Sequence, residues 1–61
     1  MKRNVLLKHL KENECMLKRE GANHSWFVNI NNGNLAAVPR HPDINEITII
    51  KICNQLGIPK V

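Results

Sequence analysis

His24 is the residue in this sequence best placed to do chemistry. It follows Gly21-Ala22-Asn23, a glycine-containing turn, and heads a run rich in aromatic and β-branched residues. An imidazole titrates near neutrality, so one side chain can take a proton from a ribose 2′-hydroxyl and return one to a leaving oxygen. RNA strand scission needs little more, because its nucleophile belongs to the substrate. A guanidinium such as that of Arg19 or Arg40 would supply positive charge for the phosphorane. The plainer reading makes His24 a rim residue with one hydrogen bond. Ideal alternation puts it on the face of Trp26 and Val28, which the apolar pattern takes as the packed face.

His41 is the second candidate. In Pro39-Arg40-His41-Pro42 two prolines stiffen a loop and would hold Arg40 and His41 outward. The functional readings are phosphate contact or an acid–base partner for His24; the plain one is a turn with polar tips. His9 reads as a helix-face residue without a role. A metal site drawn from His9, Cys15, His24, His41 and Cys53 has no ligand spacing behind it, and no cofactor is expected. Gly-rich phosphate loops, paired carboxylates and nucleophile elbows are absent from the sequence.

The composition bounds what can carry such a site. Sixty-one residues make one domain, residues 1–61, and a chain of this size hides only about 60% of the surface it exposes when unfolded. A thin two-layer core follows from 43% hydrophobic residues, and the chain is expected to gain stability from a partner or from a second copy, a homodimer. The net charge is +4, with six of the nine basic residues (Lys2, Arg3, Lys8, Lys11, Lys18 and Arg19) ahead of Gly21. A basic face attracts polyanions through counterion release, so RNA is the expected target, with Lys2, Arg3, Lys8, Arg19, Arg40 and His41 as phosphate contacts. Cys15 and Cys53 lie among apolar neighbours and read as reduced core thiols. The apolar run Val5-Leu6-Leu7 is cut by Lys8, too early for a secretory signal, and nothing approaches a membrane span. A cytoplasmic protein without membrane contact is expected.

The elements that must position these residues follow from periodicity. Residues 2–13 read as a helix capped by Asn4 or starting at Lys2, with Val5, Leu6 and Leu10 inward. Residues 14–20 alternate as a half-exposed strand with Cys15 and Leu17 on one side. Residues 24–30 form the best strand, with Trp26, Val28 and Ile30 on the core face. Phe27 is then left on the open face, where it could stack on a base. Asn32-Gly33 predicts a type I′ turn, and residues 35–38 return as a strand stopped by Pro39. Asn45 caps a second helix with the stripe Ile49, Ile52, Cys53 and Leu56, ended by Gly57. The run over residues 47–52 is β-rich and makes a strand a rival there, but the cap, the glycine stop and the spacing to Leu56 favour the helix. Ile47 and Ile50 fall off that stripe; they either pack on strand ends or form an exposed patch for a partner. The expectation is an α+β domain in the order α-β-β-β-α, a three-stranded antiparallel sheet with two helices on one face.

Four stretches carry a family resemblance. They are the Met1-Lys2-Arg3 helix, Arg19-Glu20-Gly21-Ala22-Asn23-His24-Ser25, Val38-Pro39-Arg40-His41, and Ile52-Cys53-Asn54-Gln55-Leu56-Gly57-Ile58. Together they resemble the HicA toxin family, in order, with similar spacing and over essentially the whole chain. The resemblance implies a double-stranded-RNA-binding-domain-like fold and a metal-independent mRNA interferase. It also implies a cognate HicB antitoxin that covers the active histidine, whose motif falls on His24. Many members have Gly-Ser-His or Gly-Ser-His-His where this chain has Gly21-Ala22-Asn23-His24-Ser25. Asn23 can still turn the chain and donate a hydrogen bond, so His24 is expected to keep its place. Two readings compete with a ribonuclease toxin. One is a module that holds structured RNA without cutting it; the other is an interaction protein that uses the Ile47 and Ile50 patch.

Overall fold

A computed structural model describes residues 1–61, and its elements come in the order α1 (Arg3–Glu12), β1 (Cys15–Glu20), β2 (His24–Asn29), β3 (Leu35–Pro39) and α2 (Glu46–Leu56). The strands make one antiparallel sheet in the order β1-β2-β3. A single core of 11 buried residues joins Leu6 and Leu10 of α1 and Ile49, Ile52, Cys53 and Leu56 of α2 to Cys15, Phe27, Ala36 and Val38 of the sheet. Both helices therefore cover the same face. Ile44, in the loop before α2, completes this core. It is held there by its N–H to the Met1 carbonyl at 2.8 Å, alongside Arg3 N–H to the Pro42 carbonyl at 2.8 Å. No helix is long and apolar enough to cross a membrane.

The second helix forms as its sequence predicts. Asn45 accepts the Thr48 N–H at 2.8 Å, and Gly57 takes the left-handed conformation (φ 71°) that closes the last turn. A Cβ at Gly57 would lie 2.9 Å from Asn32 Nδ2, so the position needs glycine for space as well as for φ. At α1, by contrast, Asn4 is no cap: the helix starts after Lys2 and has no side-chain cap, and Val5 is exposed instead of buried. Ile47 and Ile50 are both exposed, which leaves the patch and removes the strand-end packing. Cys15 and Cys53 are buried free thiols, and burial raises the pKa of both, with Cys53 adding to the effect at Cys15. They stay neutral core residues at physiological pH.

The faces of β2 are the reverse of the expectation. Ser25, Phe27 and Asn29 point into the core, while Trp26 and Val28 are half-buried on the open side and Ile30 is exposed. The two inward polar residues are both hydrogen-bonded there, so their burial leaves no orphaned group. Asn29 Nδ2 donates to the Leu56 carbonyl at 2.8 Å, one of the acceptors that the end of α2 leaves unpaired. Ser25 finds Arg3 and Glu20. Replacing Asn29 with alanine should cost about 1–3 kcal/mol, the penalty for buried groups left without partners. The same change at exposed Asn32, whose amide reaches that carbonyl at 3.1 Å, should cost less, and urea unfolding of the two variants checks the order.

The β2–β3 connection also departs from the type I′ expectation. Positive φ occurs at Gly33 and not at Asn32. The loop instead bonds Asn32 and Gly33 N–H to the Asn29 carbonyl, and Asn29 Oδ1 accepts the Asn31 N–H at 2.9 Å. The buried Asn29 side chain thus organises the loop as well as the helix end. At the far edge, β1 buries Cys15 alone, so Leu17 is half-exposed and not the core residue its alternation suggested.

Candidate active site at the head of the central strand

A bulge in β1 builds the site. Leu17 pairs with Phe27 but Arg19 pairs with Trp26, which leaves Lys18 as the extra residue. Without it, Arg19 would fall opposite inward-facing Ser25. With it, Arg19 shares the open face with Trp26, its guanidinium carbon 5.4 Å from the ring centroid, and Glu20 falls opposite Ser25. One inserted residue therefore sets a cation on one face and a carboxylate behind the turn.

His24 opens β2, opposite Pro39 of β3, and its side chain is exposed on the face away from the helices. Alternation thus gave the right companions, Trp26 and Val28, but they occupy the open face and not the packed one. The turn before His24 is closed by Gly21 N–H to the His24 carbonyl at 2.8 Å. A Cβ at Gly21 would stand 3.1 Å from both that carbonyl and Trp26 Nε1, so glycine lets the turn fold back against the indole.

Behind the turn lies a hydrogen-bonded chain that no residue pattern announces. Arg3 Nε donates to the Pro39 carbonyl at 2.8 Å and Nη2 to Ser25 Oγ at 3.1 Å; Ser25 donates to Glu20 Oε1 at 2.6 Å. Arg40 donates to the same Glu20 oxygen, from Nε at 3.1 Å and Nη2 at 2.8 Å, and to backbone carbonyls of the turn. The Ser25 hydroxyl first, and Arg40 second, hold the Glu20 carboxyl below the usual glutamate range. A lowered folded value means the contribution is present above the unfolded pKa and lost as pH falls through the folded one. Acid unfolding of the wild type should therefore steepen in that low window. Glu20→Gln should flatten that part of a thermal-stability profile measured against pH.

The expected phosphate contacts divide accordingly. Arg19 shares the open face with His24. Arg3 is bound to Ser25 and Pro39 on the core side, and Lys2 faces Asp43 at 4.0 Å in an exposed, weak pair. Lys8 is exposed on α1, over the opposite face of the sheet from His24. Arg40 is turned onto the protein, and His41 beside it is exposed. Phe27, the expected stacking residue, is buried; Trp26 is the aromatic on the open face. His9 has a structural task, its Nε2 donating to the Pro59 carbonyl at 2.6 Å and tying the residues after α2 to α1. The histidines, cysteines and carboxylates form no group of three that could hold a metal ion. No protein-family model, curated protein or solved structure matches the chain.

Proposed function

We propose that the chain is a metal-independent endoribonuclease in which His24 serves as general base and then general acid. More particularly, we read it as an mRNA interferase toxin of the HicA type, a cytoplasmic protein neutralised by a HicB-type antitoxin. The observation that carries this reading is the exposure of His24 at the head of the central strand, on the sheet face that no helix covers. The α-β-β-β-α order with both helices on one side supports a double-stranded-RNA-binding-domain-like classification.

The chemistry follows from the substrate. His24 takes the proton of a ribose 2′-hydroxyl as its oxygen attacks the adjacent phosphorus, then returns that proton to the departing 5′-oxygen. The products are a 2′,3′-cyclic phosphate and a 5′-hydroxyl. Arg19, on the same face, supplies positive charge toward the phosphate backbone. An antitoxin covering this face would bury Met16, Leu35 and the half-exposed Trp26 together with His24, which makes apolar contact and inhibition one event.

Induced expression in a growing bacterial culture tests the toxin reading. Growth should stop and mRNA should be lost with the wild type, and neither should occur with His24→Ala. Intact mRNA beside soluble, folded wild-type protein would contradict it and favour RNA holding or partner binding.

A further inference from the structure

Arg40 differs from the other basic residues because its guanidinium is almost wholly occupied by the protein itself. Nε and Nη2 bind Glu20 Oε1; Nη1 reaches the Ala22 carbonyl at 3.1 Å; Nη2 also reaches the carbonyls of Gly21 and, at 3.1 Å, His24. These acceptors all belong to the end of β1, the turn, and the first residue of β2. Arg40 arrives there because it follows Pro39, the cross-strand partner of His24. One cation thus collects carbonyls from three of the four residues 21–24. Ala22, Asn23 and His24 are all exposed, with no buried side chain to fix them.

We propose that Arg40 is a positioning residue for His24, and not a phosphate ligand. The proposal rests on the reading of His24 as the catalytic group. The planar fork of the guanidinium satisfies divergent carbonyls and a carboxylate at once, which the point charge of a lysine cannot do. Glu20 fixes the other side of that fork and is itself anchored through Ser25 to Arg3 of α1. The turn is therefore braced from β3 and from the helix layer, and the backbone from which the imidazole projects over the open face is tied down. A phosphate ligand would need N–H groups directed outward. Only one Nη1 hydrogen of Arg40 is left for that.

The test combines cleavage kinetics with backbone order in wild type, Arg40→Ala and Arg40→Lys. Arg40→Ala should lose about 10²-fold in kcat, the scale of a 1 Å misplacement, with KM and its salt dependence little changed. Amide order parameters at Ala22, Asn23 and His24 should fall from about 0.85 to below about 0.6 while both helices keep theirs. Arg40→Lys should resemble the alanine variant, and added guanidinium ion should raise kcat of Arg40→Ala alone. A raised KM, a salt slope smaller by about 1 and an ordered turn would assign Arg40 to phosphate and overturn the proposal. An ordered turn in Arg40→Ala overturns it whatever the cleavage assay gives. Cleavage by His24→Ala at the wild-type rate, or RNA left uncut by the wild type, would instead overturn the reading of His24 on which it rests.

Discussion

Purified His24→Ala should cleave RNA about 10²–10⁴-fold more slowly than the wild type, the range that a positioned acid–base group supplies. Its fold should be unchanged. The side chain is exposed, and the hydrogen bonds at this position are made by the backbone: the His24 carbonyl accepts from Gly21 and from Arg40. A surface substitution that leaves those bonds in place stays within about 0.5 kcal/mol of the wild type. RNA affinity should also hold, because phosphate contacts are supplied by the lysine and arginine side chains. Rate, stability and affinity together separate the readings. A non-catalytic RNA-binding module would show equal, negligible turnover in both proteins.

Leu56→Ala should be the most destabilising of the substitutions considered. Leu56 has no exposed surface, and truncating such a leucine costs about 2–5 kcal/mol in lost transfer energy and residual cavity. A 61-residue domain has only about 3–9 kcal/mol in total, on the ordinary scale per residue. A second effect acts in the same direction. The Leu56 carbonyl accepts from Asn29 and Asn32, so any relaxation of the helix end toward the cavity disturbs the amides that organise the β2–β3 loop. Thermal unfolding followed by circular dichroism should show a midpoint lowered by about 10 °C or more, or no cooperative transition. Ile47→Ala, one helix face away and exposed, should move it little. A Leu56→Ala midpoint close to wild type would mean that α2 does not pack on the sheet as described.

The elements were legible where local chemistry acts alone. Asn45, the stripe Ile49-Ile52-Cys53-Leu56 and Gly57 mark α2 against the β-rich run 47–52, and the structure has the helix. The order of elements followed from periodicity in the same way. What the sequence hid depends on partners distant along the chain. Hydrophobicity favours Trp26 and Val28 for the core, yet Asn29 and Ser25 have their hydrogen-bond partners on the other side, and those partners are Leu56, Arg3 and Glu20. The bulge at Lys18 leaves no residue signature, although it decides which way Arg19 and Glu20 point. The place of His24 at the start of the second strand was legible from the turn before it. The role of Arg40 was not, because a basic residue between prolines reads as an outward tip until the carbonyls beneath it are seen.

These features converge on a claim about bond chemistry. The 2′-oxygen of the substrate attacks, His24 carries the proton, and Arg40 and Glu20 hold the turn that carries His24. End-group analysis of RNA incubated with the purified chain in EDTA tests it most directly. The expected result is 2′,3′-cyclic phosphate and 5′-hydroxyl ends, and no cut at a nucleotide whose 2′-hydroxyl is replaced by hydrogen. Fragments bearing 5′-phosphates, cleavage at a 2′-deoxy position, or uncut RNA would contradict it.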